Sequence, residues 1–86
     1  MSQPAIVVYA TGWCPYCARA RALLEKKGLA ITEIDVEDGK LREEMIARSG
    51  RRTVPQIFIG EKHVGGCDDL LALDGSGELD RLIQGA

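Results

Sequence analysis

The chain has 86 residues, with 11 Lys and Arg against 13 Asp and Glu and a formal net charge of −2. That length holds one small domain, and a near-balanced charge with 5% aromatic residues lacks the basic, stacking-rich footprint of a nucleic-acid binder. The longest apolar run, Ala5–Ala10, falls far short of the roughly 20 residues a membrane helix needs, and no basic stretch precedes it as in a signal peptide.

Ala5–Tyr9 is a β-rich run of the kind a strand buried on both faces shows. Thr11-Gly12-Trp13 breaks it. Pro15 then suits the first position of a helix, where its missing N–H would be unpaired anyway. Apolar residues at Ala20, Leu23 and Leu24 give that helix an inward stripe, and Gly28 closes it. Ile31–Val36 alternates and predicts a second strand. A second helix is expected over Gly39–Ser49, with Asp38 as N-cap, Gly50 as stop, and Leu41, Met45 and Ile46 inward. Gln56–Ile59 predicts a buried strand that turns at Gly60-Glu61-Lys62 into His63-Val64 as a hairpin. Cys67-Asp68-Asp69 suits the opening of a last helix, because acids are favoured in a first turn. After a break over Asp74–Gly77, Leu79, Leu82 and Ile83 supply its inward stripe. The order β-α-β-α-β-β-α predicts one α/β sheet: an early right-handed βαβ with parallel strands, a late antiparallel hairpin, and helices on both faces. The sign of charge alternates along the chain, positive over 14–30 and 48–63, negative over 31–47 and 64–86. By itself that describes an ordinary solvated surface.

Three cysteines exclude a fully paired disulfide framework and suit a reducing compartment. Cys14 falls at the cap of the first helix, where its sulfur can meet the unpaired N–H groups of Tyr16 and Cys17. Those donors and the helix dipole favour a thiolate, whereas an ordinary thiol is only a few per cent ionised at pH 7. Cys17 lies one turn further on, within bridging reach of Cys14 and continuous with the inward stripe. The asymmetry assigns Cys14 as the exposed nucleophile and Cys17 as the sheltered, resolving thiol, the two forming a redox disulfide.

Cys14-Pro15-Tyr16-Cys17, Thr53-Val54-Pro55 and Gly65-Gly66-Cys67-Asp68-Asp69, in this order and spacing, resemble the dithiol glutaredoxins, most of all the small bacterial type. The similarity spans essentially the whole chain, so a single domain over residues 1–86 is expected. The resemblance implies a thioredoxin-like fold, with a four-stranded mixed sheet flanked by helices. It also implies a glutathione-dependent thiol–disulfide oxidoreductase that reduces protein–glutathione mixed disulfides and protein disulfides. Glutathione is then a co-substrate and no bound cofactor or metal is needed. Val54 would pair its backbone with the glutathione cysteine, and the Val54–Pro55 peptide would be cis. Tyr16 and Thr53 would flank the tripeptide, with Pro55 and Gly66 in the wall. The N–H groups of Cys67 and Asp68 would receive the γ-glutamyl carboxylate, and the Asp68 carboxylate its ammonium. Arg51 or Arg52 would attract the glycyl carboxylate. The expected protein is a cytoplasmic monomer whose partners are glutathione and glutathionylated or disulfide-containing proteins.

One departure stands out. The family usually has a lysine three residues before the first cysteine, where this chain has Thr11. Two other readings use the same residues. Cys14, Cys17, His63 and Cys67 have the ligand types and plausible spacing of a zinc site, but zinc knuckles rarely follow a buried strand with Pro-Tyr and then a long helix. A glutathione-ligated iron–sulfur scaffold is known for some glutaredoxins, but relatives of that kind usually lack the proline. Trp13 fits either a shield for the thiolate or simple edge packing, and His63 is expected at the surface of the hairpin.

Overall fold

The computed structural model describes residues 4–84. Four strands and four helices follow one another as β1 (Ile6–Ala10), α1 (Pro15–Lys26), β2 (Thr32–Asp35), α2 (Gly39–Ser49), β3 (Gln56–Ile59), β4 (Lys62–Gly65), α3 (Cys67–Ser76) and α4 (Glu78–Gln84). The strands form one mixed sheet in the order β2-β1-β3-β4. β1 runs parallel to β2, as a helical crossover requires, and antiparallel to β3; β3 and β4 form the antiparallel hairpin. The two central strands are therefore the ones written as near-continuous apolar runs, IVVYA and QIFI.

Side-chain alternation sends the two faces of this sheet into separate cores. Ile6, Val8, Ala10, Ile57 and Ile59 pack with Cys14, Cys17, Ala20 and Leu24 of the α1 region, Leu70 of α3 and Leu79 of α4. Tyr9, Val36 and Phe58 pack with Met45 of α2 on the opposite face. Leu24 is wholly buried, which stabilises the fold by about 2 kcal/mol relative to leaving it in water. On the α2 side the Tyr9 hydroxyl donates to Glu44 at 2.7 Å and accepts from Arg48 at 2.8 Å, with the Arg48 guanidinium 4.1 Å above the Phe58 ring.

The expected helix signals hold at α2: the Asp38 carboxylate accepts from the N–H groups of Lys40 and Leu41, and Gly50 closes the helix. Two expectations need correction. The C-terminal helical segment is two helices rather than one, and the break is narrower than Asp74–Gly77. Helix α3 continues through Ser76, and only Gly77, at φ 82°, stands between it and α4. Because glycine adopts positive φ without a Cβ clash, one residue suffices to redirect the chain. The strand expected from Ile31 to Val36 is shorter, Thr32–Asp35, an edge strand with exposed residues.

Candidate active site

Antiparallel pairing of β1 with β3 matches Tyr9 to Gln56. This register brings the loop after β1, which carries Cys14, to the same end of the sheet as the loop before β3, which carries Thr53–Pro55. β4 runs back to that end and delivers Gly66 and the start of α3. Three segments distant in sequence thus converge on Cys14.

Pro15 is the first residue of α1 and Cys14 is its N-cap, in extended conformation. The Cys14 thiol faces the Val54 carbonyl, with Sγ 3.9 Å from the oxygen. Contrary to expectation, Cys14 is not an open thiol: 8% of it is exposed, against 0% for Cys17. Burial alone would raise the Cys14 thiol. The Cys17 N–H, the Cys17 thiol and the Tyr16 N–H outweigh that penalty, and its pKa falls below the ordinary cysteine value. The groups that lower it are local donors at a helix start rather than a cation such as the lysine that Thr11 replaces.

Cys17 behaves oppositely. Burial dominates and pushes it up to about 11, opposed by the Thr11 N–H and reinforced by the hydrogen bond and charge of Cys14. One thiol is poised to ionise and its neighbour is held neutral. Thr11 is itself 1% exposed, and its hydroxyl has no hydrogen-bond partner among the described residues. All three cysteines are free thiols.

Beside Cys14 lies a groove of about 340 Å³, within the range of small-molecule sites. Tyr16, Thr53, Val54, Pro55, Gly66, Cys67 and Asp68 line it, together with Asp69. The Val54–Pro55 peptide is cis, as the sequence resemblance implied. Tyr16 stands 54% exposed at the rim, with Arg19 5.9 Å from its ring centre, and Trp13 is exposed as well rather than packed into the core edge. Cys67 is buried, and burial followed by the nearby Asp68 charge raises its thiol, so it stays neutral in the wall.

Asp69 is the residue the sequence reading left out of the groove. Its carboxylate accepts from the Gly66 N–H at 2.9 Å and pairs with Arg51 at 3.3 Å. The signal was available, because an acid three residues after a helix N-cap commonly reaches back to the cap N–H. Gly65 is tied to this contact: at φ +117° it occupies backbone space that side chains rarely enter, and a Cβ there would collide with the Asp69 carboxylate. Arg51 thus reaches the groove wall through Asp69, whereas the interaction seen at Arg52 is its carbonyl accepting from Arg42. His63 is not a surface residue. It is half-buried, stacked on Phe58 at 4.8 Å, and hydrogen-bonded to Gln56 at 2.7 Å. The zinc set of Cys14, Cys17, His63 and Cys67 is not assembled, and no group of three or more His, Cys, Asp or Glu among the described residues is placed to hold a metal ion.

The glutaredoxin family model matches residues 6–64, which include Cys14, Cys17 and the Thr53–Pro55 loop. The chain belongs to the glutaredoxin family. It is 56% identical over 82 residues to a glutaredoxin of Pseudomonas aeruginosa, covering 93% of this chain and 96% of that protein. The solution structure of a glutaredoxin from Brucella melitensis is 54% identical and superposes with a TM-score of 0.85, covering 98% of this chain and 92% of the other. A buckwheat glutaredoxin, solved as a complex with glutathione, is 30% identical with a TM-score of 0.84, over 94% of this chain and 76% of that one. This glutaredoxin therefore has the thioredoxin-like fold and is a thiol–disulfide oxidoreductase of the small bacterial type.

Proposed function

We propose that this glutaredoxin uses glutathione to reduce protein–glutathione mixed disulfides and protein disulfides, with Cys14 as nucleophile and Cys17 as resolving thiol. The observation that carries the reading is the groove beside a Cys14 whose sulfur is stabilised as an anion by helix-start donors. The buckwheat relative solved with glutathione supports the choice of ligand.

The Cys14 thiolate attacks the glutathione sulfur of a glutathionylated protein. The mixed disulfide breaks, the protein sulfur leaves with the electron pair and takes a proton, and Cys14 carries the glutathionyl group. A second glutathione thiolate attacks that group's sulfur, releasing oxidised glutathione and regenerating the Cys14 thiolate. With a protein disulfide, Cys14 instead becomes bonded to the protein. Cys17 loses its proton and attacks Cys14 Sγ, the reduced protein departs, and two glutathione molecules reopen the Cys14–Cys17 bridge. The raised Cys17 value fits this order of events. Part of what raises it is the hydrogen bond and charge of Cys14, and both vanish once Cys14 is in a mixed disulfide.

In the groove, Val54 offers its backbone to the glutathione cysteine, with Tyr16, Thr53, Pro55 and Gly66 around it. The N–H groups of Cys67 and Asp68 receive the γ-glutamyl carboxylate at the start of α3, and the Asp68 side chain receives the ammonium. Arg51, held at the wall by Asp69, is the better placed of the two arginines for the glycyl carboxylate. The whole chain works as one monomeric domain in the cytoplasm, and no described helix is long and apolar enough to cross a membrane. The test is reduction of a glutathionylated peptide by the purified chain, coupled through glutathione reductase to NADPH consumption. Turnover that requires glutathione is expected; a rate no higher than with glutathione alone would overturn the proposal.

A further inference from the structure

A fully buried amide sits behind the groove and connects its wall to β4. Gln56, 0% exposed, places Nε2 3.0 Å from the Thr53 carbonyl oxygen and 3.1 Å from Thr53 Oγ1, while its Oε1 lies 2.7 Å from His63 Nε2. The polarity of this chain of contacts follows from the groups themselves. A carbonyl can only accept, so the amide nitrogen must face Thr53 and the amide oxygen must face His63. His63 therefore donates through Nε2–H, which it carries whether neutral in that tautomer or protonated. The second amide hydrogen goes to Thr53 Oγ1, which accepts it. The Thr53 hydroxyl hydrogen is then left for another acceptor, on an exposed residue of the groove wall. His63 is held for its part by stacking on Phe58, its cross-strand neighbour.

We infer that Gln56 is a positioning residue: braced by His63, it holds the Thr53–Pro55 loop and orients the Thr53 hydroxyl as a donor toward a carbonyl or carboxylate oxygen of the bound glutathionyl group. The inference rests on the proposed glutathione site and adds to it the residues that set the hydrogen-bond direction of one wall. Gln56 touches no substrate; it acts through Thr53. It is also the one polar residue of the QIFI strand, where an apolar side chain would satisfy packing equally well. Burying an amide there is costly unless its hydrogen bonds are made, and three are.

The test uses the full chain and a glutathionylated peptide, comparing wild type with Thr53→Val, Gln56→Leu, the double variant and His63→Phe. For Gln56→Leu and Thr53→Val, KM for the peptide should rise roughly 3- to 12-fold, the equivalent of one hydrogen bond, with kcat within about twofold. The pH profile of Cys14 alkylation by iodoacetamide should not move, which separates lost positioning from general damage to the site. The double variant should rise no further than the worse single one, because both substitutions break the same chain. His63→Phe keeps a ring on Phe58 while removing the brace, and covers the case in which Gln56→Leu fails to fold; its KM should rise in the same direction. Unchanged KM in a folded Gln56→Leu or His63→Phe, or effects that multiply in the double variant, overturns the inference alone. A wild-type chain that does not turn over the peptide overturns the functional proposal, and this inference with it.

Discussion

Cys17 is expected to give the reduced protein a loss of stability at alkaline pH that its removal abolishes. Its thiol is pushed up to about 11 from an ordinary value of 9.0 by burial among Ala20, Leu24 and the central strands. Below pH 9 the thiol is neutral in both the folded and unfolded chains, and its preference for the folded interior is fully expressed. Between pH 9 and about 11 the unfolded chain ionises while the folded one resists, so stability falls as pH rises. Two units correspond to about 3 kcal/mol, a large share of the stability of a domain this small. Cys14, whose value is depressed, works in the opposite direction: its contribution is complete above its ordinary value and is lost as pH falls through the lowered one. That change is finishing as the Cys17 window opens, and it runs in the opposite sense. Urea unfolding of wild type and Cys17→Ala, both fully reduced, at pH 8, 9, 10 and 11 isolates the effect, because the two proteins differ at this one side chain. The stability difference between them should shift against wild type by about 3 kcal/mol across the window. A difference that stays constant from pH 8 to 11 would refute the claim that burial holds Cys17 neutral.

Other substitutions separate the remaining parts of the site. Cys14→Ser should abolish all thiol exchange, whereas Cys17→Ser should still reduce glutathionylated peptides and fail on protein disulfides; assays of both variants on both substrates check this, and a folded Cys17→Ser inactive on the glutathionylated peptide would reverse the roles. Thr11→Val removes a buried hydroxyl with no partner among the described residues at nearly constant volume, and should raise stability by about 1 kcal/mol in urea unfolding. Gly65→Ala forces a Cβ toward the Asp69 carboxylate at positive φ, and should cost about 1–3 kcal/mol and weaken glutathione affinity in the same protein, read by thermal melting and by KM.

The element order was readable because its signals are local: Pro15 at a helix start, Asp38 and Gly50 at the two ends of α2, and the uninterrupted apolar runs of β1 and β3. The cysteine pair was readable for the same reason, since both the capping position and the inward stripe lie within one helix. Exposure was not. Cys14 reads as an open cap, but its burial depends on the Thr53–Pro55 loop, forty residues away in sequence. His63 reads as a hairpin surface residue because nothing in a four-residue strand reveals that its ring lies on Phe58 and its nitrogen on Gln56. The split of the last helical segment was half visible. Gly77 marked a break, but Asp74–Ser76 are as compatible with a helix end as with a loop, and the tertiary packing of α3 on α1 and β4 decides for helix.

The antiparallel β1–β3 pairing that gathers Cys14, Val54 and Gly66 at one end of the sheet leaves the other end to the Gly60-Glu61 turn. At about 3.4 Å per residue, the passage along β3 from Pro55 to Gly60 separates that turn from the cis-proline by roughly 17 Å. The same rigid pair of strands therefore carries the Cys14 groove at one end and the hairpin turn at the other. A probe or tether attached at the exposed Glu61 would ride on the element that carries the cis-proline loop without meeting anything bound there. The hairpin tip is a natural handle for immobilising the protein or reporting its redox state.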